Sequence, residues 1–205
     1  MAKVPNNGAL KEKPMKQYTC LVADTNQTPV VDPLKYSNLN VSLRKIAYIK
    51  RFISNCYKKK LNQDLTLNTV PTAEELDEAK NYLLKLVQKE FYPEELSRLK
   101  EGNFVKRDSK LSQLSPYFDE ATGLIRMKGR VHNAKLAESE KHPIILPPKS
   151  PIVKLLVKQV HLSQLHAGVN QTIVALRNDY WITQARSLVK TVVKSCLVCR
   201  MYMPK

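Results

Sequence analysis

The chain has 205 residues, with 34 lysines and arginines against 18 acidic residues, a formal charge of +16. Its apolar share of 43% and charged share of 25% are those of a globular chain with at least one proper core. No run approaches the ~18 uninterrupted apolar residues of a membrane span, the first residues lack the apolar core of a secretory signal, and four cysteines are too few for a disulfide-stapled scaffold, so a membrane role is excluded and an intracellular location expected.

Residues 1–36 are rich in Asn, Pro, Lys and Thr and read as a loose arm with a short strand at YTCLVA. Residues 37–110 form a helical linker region. Leu39, Leu43, Ile46, Ile49, Phe52 and Ile53 recur at three- and four-residue intervals, the stripe of a helix, with Arg44, Lys45, Lys50 and Arg51 on its other side and Cys56 as a core-facing thiol. Thr72 and Glu75 make a capping box. A helix is therefore expected from about Ala73 to Phe91, burying Leu76, Ala79, Leu83, Leu86 and Val87. Pro93 ends it and opens a second short helix, Glu94 to Lys100.

Residues 111–149 change texture. Short alternation around Leu124–Met127, with Gly123 and Gly129, predicts one or two hairpins and a further strand at HPIILP. His132 and His142 read as structural loop or strand-end residues.

From Ser150 to the end the helical period returns. Ser150 is a candidate cap and Pro151 fits the first position of a helix that buries Ile152, Leu155, Leu156 and Val160. A second helix starts after Asn170, buries Ile173, Val174 and Leu176, and ends near Asp179; Tyr180-Trp181 is a bulky hinge. The third has the cleanest period: Ala185, Leu188, Val189, Val192, Val193 and then Cys196. The last 55 residues hold eight lysines and arginines against Asp179 alone, which points to a polyanion such as nucleic acid.

This segment also holds His161, His166, Cys196 and Cys199, spaced H-x4-H-x29-C-x2-C. A lone histidine or a lone C-x2-C pair is most often structural. Two imidazoles and two thiolates together are a full set for one tetrahedral, structural Zn²⁺, with no open position for a catalytic water. Positions five apart on one helix diverge by ~140°, so the first helix must end between His161 and His166, with Gly168 supplying a turn. Cys20 and Cys56 have no ligand spacing.

These residues, with Gly168, Thr172, Leu176, Tyr180-Trp181 and Val189, resemble the His-His-Cys-Cys zinc-binding domain of retroviral and retrotransposon integrases. The phrases AYIKRFISN, LSPYFDEATGLIRMKGRVHNA, KHPIILPPKSPIVKLLVKQVH and ALRNDYWI are similar to the region between ribonuclease H and integrase in BEL/Pao retrotransposon polyproteins. The resemblance implies that residues 150–205 form a three-helix zinc bundle, helix-turn-helix-like in its second and third helices, which assists multimerisation and contacts DNA ends. The overall expectation is mainly α with a small β section.

DNA is the expected partner and self-association a second use of the module, with no small-molecule substrate. Arg177, Arg186, Lys190, Lys194 and Arg200 would meet phosphates, and Asn170 and Gln171 base edges or phosphates, though helix capping alone accounts for Asn170. A nuclear location follows from DNA work. Integrase chemistry resides in a downstream core with three carboxylates; the sequence runs to Lys205 without one, so no enzymatic activity is expected. The alternatives are a protein-interaction module with an apolar face of Tyr180, Trp181, Val192 and Met201, or a fragment of a decayed element.

Overall fold

The computed structural model describes residues 35–66, 69–129 and 138–202; the YTCLVA strand, most of the arm, Cys20 and His132 lie outside them. The first helix, α1 (Leu39–Lys60), starts at Asn38, whose side chain accepts from the Asn40 amide, and ends in Lys58, Lys59 and Lys60, cations placed where the helix dipole favours them. Its buried face is Leu39, Ser42, Leu43, Ile46, Ala47 and Arg51, rotated from the expected stripe. Phe52 is 69% exposed and Cys56 faces solvent, whereas Arg51 is buried.

The reason lies on α2 (Ala73–Phe91). Arg51 forks onto Glu75, with Nε donating to Oε1 at 2.7 Å and Nη2 to Oε2, and donates to the Val70 carbonyl at 2.9 Å. A buried cation with a carboxylate and a carbonyl to satisfy it can hold a core-facing position that an apolar residue would otherwise take. Glu75 also closes the capping box, accepting from the Thr72 amide at 2.8 Å.

Helix α2 buries Ala79, Leu83, Leu84, Val87 and Gln88; Leu76 and Leu86 stay half-buried. Pro93 opens α3 (Pro93–Lys100), and a 3₁₀ turn, Ser112–Leu114, leads into the sheet. Strands β1 (Pro116–Asp119) and β2 (Leu124–Met127) form the expected hairpin, Phe118 opposite Ile125. Gly123, at φ +65°, supplies the left-handed residue that its turn requires. A short helix, α4 (Glu138–Lys141), precedes β3 (Ile144–Leu146), which adds antiparallel to β2.

The fourth strand, β4 (Tyr180–Ile182), pairs parallel with β3, Ile145 opposite Trp181. The expected hinge at Tyr180-Trp181 is thus a strand, three residues long and too short to show a period of two. Parallel neighbours need a crossover, and α5 (Pro151–Ser163) and α6 (Val169–Arg177) provide it. Helices α7 (Ala185–Ser195) and α8 (Leu197–Tyr202) follow.

The sheet order is β1-β2-β3-β4. Leu111, Ile125 of β2 and Ile145 of β3 form a fully buried cluster, with Tyr92, Leu96 and Leu99 packed on it. The architecture is mainly α with a small β section. The sequence segments 37–110, 111–149 and 150–205 fall in one contact unit, Pro33–Lys205, because β4 completes a sheet begun by β1–β3 and α5 packs on α1.

One polar side chain joins the helices to the sheet. Gln88, 0% exposed, donates through Nε2 to the Ile125 and Ile145 carbonyls at 2.9 and 2.8 Å and accepts from the Ile125 amide at 2.8 Å. Its amide serves main-chain groups of β2 and β3 that would otherwise be buried without partners.

Candidate metal centre

Helix α5 is apolar on most sides, so its inward face is set by the helices around it, α1, α6 and α7. That face is Val153, Leu156, Val157 and His161; Ile152, Leu155 and Val160 are half-buried, one step from the expected phase. Ser150 sits at the N-cap position and Pro151 at the first helical position, but the Ser150 hydroxyl makes no capping bond.

The helix ends where the histidine spacing requires. After Ser163, Leu165 and His166 take left-handed backbone, φ +52° and +62°, and the His166 amide donates back to the His161 carbonyl at 3.0 Å. Two consecutive left-handed residues reverse the chain and swing the second imidazole beside the first, ring centroids 5.2 Å apart and planes at 89°. Gly168 does not make this turn. With φ −63° and ψ 171° it is the N-cap of α6, which places Asn170 inside the first turn and rules out a capping role for it.

The sulfurs arrive from the other side. Cys196 ends α7 in extended backbone, following the buried Val189, Val192 and Val193, and the short α8 turns Cys199 inward. His161 Nε2 lies 3.3 Å from Cys199 Sγ, and His166 Nδ1 lies 3.2 Å from Cys196 Sγ and 3.9 Å from Cys199 Sγ. All four ligand atoms fall within 4.8 Å of one another. Tetrahedral Zn²⁺ with ordinary Zn–N and Zn–S bonds sets its ligand atoms about 3.3–3.8 Å apart, so the donor set and its spacing fit a metal ion of the zinc type.

Groups behind the ligands fix their orientation. His161, 1% exposed, donates from Nδ1 to the Ala167 carbonyl at 3.1 Å, which leaves the Nε2 lone pair facing the sulfurs. Thr172, fully buried, places its hydroxyl 3.2 Å from the Ala167 carbonyl and 3.1 Å from that of Gly168. It occupies the inward position expected of Val174, which is exposed.

Burial, and then the neighbouring His166, lower the His161 pKa, although its bond to Ala167 opposes the shift; the neutral, ligating imidazole is favoured. Burial raises the Cys199 thiol, and the nearby Cys196 adds to this. A dication would reverse that preference, since metal ligation takes the thiolate.

Every basic or amide side chain expected to meet nucleic acid is exposed: Asn170, Gln171, Arg177, Arg186, Lys190, Lys194 and Arg200. Arg186, Lys190 and Lys194, four residues apart, run as one stripe along α7. Arg186 Nη2 donates to Asn170 Oδ1 at 2.9 Å, tying α7 to α6, and the Arg177 guanidinium lies 5.6 Å from the Trp181 ring centre. Arg200 stands apart on α8. Of the apolar face expected at Tyr180, Trp181, Val192 and Met201, Tyr180 and Val192 are core residues and Trp181 is half-buried; Met201 alone is exposed. Tyr180 and Val192 are removed by their packing in β4 and in the buried face of α7.

The four side chains that the sequence singles out do converge, but the groups behind them carry little sequence signal. A main-chain carbonyl such as that of Ala167 has no sequence signal, and Thr172 was visible only as part of a family pattern.

The fold and the site together define a small helical module around a His-His-Cys-Cys cluster, joined to the rest of the described fold through the β3–β4 pairing and the packing of α5 on α1. Residues 148–205 match a family model described as integrase zinc binding domain. No curated protein and no solved structure matches the chain.

Proposed function

We propose that this chain is a zinc-stabilised nucleic-acid-binding and multimerisation module of a retrotransposon integrase, of BEL/Pao type. One structural Zn²⁺ on His161, His166, Cys196 and Cys199 would fix α5 against α7 and α8, and DNA would meet the basic side of the module. The observation that carries this reading is the convergence of the four side chains at the C-terminal end of α7, the helix that bears the exposed Arg186, Lys190 and Lys194. The integrase family match over residues 148–205 supports it. The BEL/Pao assignment rests on the sequence phrases alone. On this reading the chain performs no strand transfer itself, and it works in the nucleus.

The test is a duplex-DNA titration of the zinc-loaded chain at several salt concentrations. Each phosphate neutralised contributes about 0.9 to the slope of log K on log salt, so three contacts from α7 give a slope near −3 by the same rule. A flat dependence contradicts the reading. Mg²⁺-dependent strand transfer by the chain alone would contradict its non-catalytic part.

A second reading, assembly through protein contacts, is favoured by the apolar rim around the metal centre. Leu165, Leu197, Met201 and Tyr202 are all more than two-thirds exposed, and a run of such residues marks an interaction surface. Self-association that disappears on chelation, with no DNA affinity, would select this reading.

A further inference from the structure

Between α6, β4 and the start of α7 lies a groove of about 490 Å³. Its walls include Asn170, Arg177, Trp181, Thr183, Gln184 and Arg186, and no carboxylate lines it. Trp181 is the single tryptophan of the chain and is half-buried in the groove wall. The two arginines of the groove are exposed and held differently. Arg186 is pinned to Asn170, whereas Arg177 rests near the indole at a cation–π distance of 5.6 Å and makes no salt bridge among those of the described residues.

We propose that this groove takes one unpaired base of a single-stranded DNA segment, stacked on Trp181, with Arg177 and Arg186 on the phosphates that flank it. The proposal rests on the nucleic-acid reading above and narrows it to a strand that can expose a base. Three observations carry it. The groove holds Trp181 and two arginines, and single-strand sites combine a basic track with a stacking platform. The amide and hydroxyl groups of Asn170, Thr183 and Gln184 give the groove polar groups suited to a base edge. Arg177 is exposed and makes no salt bridge among the described residues, so its guanidinium can swing from the ring to a phosphate and leave the indole to the base.

The experiment uses the full zinc-loaded chain and a short oligothymidylate, with a blunt duplex of equal length as the comparison. Intrinsic emission from Trp181 is read in the unmodified protein, and binding of the labelled strand is read by anisotropy. The expected result is saturable quenching by the single strand, with binding weakened about tenfold or more in Trp181→Leu and largely kept in Trp181→Tyr, both variants retaining their zinc. Single-strand binding without any change in Trp181 emission, or equal binding by Trp181→Leu, overturns the groove while leaving the basic stripe on α7 intact. Failure of both the strand and the duplex to bind removes the nucleic-acid reading itself, and the groove with it.

Discussion

Gln88→Leu is the sharpest test of how the helical layer is tied to the sheet. The substitution keeps an apolar body of similar size in the same site but deletes two donors and one acceptor. The Ile125 amide and the Ile125 and Ile145 carbonyls lose bonds of 2.8, 2.9 and 2.8 Å in a place where water does not reach. Each buried polar group left without a partner costs about 1–3 kcal/mol. Carbonyls keep a second lone pair and the backbone relaxes, so the total expected is about 3–5 kcal/mol. That is a large part of the roughly 5–15 kcal/mol available to a domain. Urea unfolding followed by circular dichroism should show the midpoint falling by about 1.5–2.5 M for a slope near 2 kcal/mol/M. Gln88→Glu, which keeps an acceptor for the Ile125 amide but sets carboxylate oxygens against two carbonyls, should also be destabilised. A Gln88→Leu protein within about 1 kcal/mol of the parent would refute the bridging role.

Thr172→Val removes the hydroxyl behind the Ala167 carbonyl while preserving shape, and should weaken zinc about tenfold or somewhat more in a chelator competition; unchanged affinity would show that the hydroxyl does not position His161. Hydrogen bonding by Arg51, strengthened by the Thr72 amide, pulls the Glu75 carboxyl from its ordinary 4.5 down to about 2. A lowered carboxylate pKa stabilises the fold fully above the unfolded value and progressively less as pH falls toward the folded one. The stability gap between the parent and Glu75→Gln should therefore be constant at neutral pH and shrink between about pH 4.5 and pH 2; a gap that persists undiminished at pH 2 would contradict the pairing. A fragment of residues 150–205 loses β3, the partner of β4, and the contact of α5 with α1, and should hold zinc less tightly than the whole chain. Equal affinity in a competition assay would show that the module is autonomous.

The centre itself was legible because its logic is local. Ligand type, the C-x2-C spacing and the ~140° divergence of positions five apart on a helix force the chain to turn between His161 and His166. Which residues make the turn was not legible: leucine and histidine take left-handed backbone here while Gly168, the residue suited to it, caps the next helix. Capping is readable for the same local reason, and Thr72 with Glu75 set the start of α2 at Ala73. The inward faces of α1 and α5 were displaced because tertiary partners choose among several apolar sides, and because Arg51 finds a carboxylate across the helix pair. Strand β4 depends on β3, 36 residues earlier by the pairing of Ile145 with Trp181, and no local pattern announces such a partner. Gln88 hides for a related cause: within α2 it is an ordinary polar residue until two strands present their backbone to it.

The most direct test of the central claim is X-ray absorption at the zinc edge on the metal-loaded chain. A zinc ion on these four side chains gives two sulfur scatterers at about 2.3 Å and two nitrogens at about 2.0–2.1 Å, with the sulfur shell reduced in Cys196→Ser. A zinc shell of nitrogen and oxygen alone, unchanged by that substitution, would contradict it.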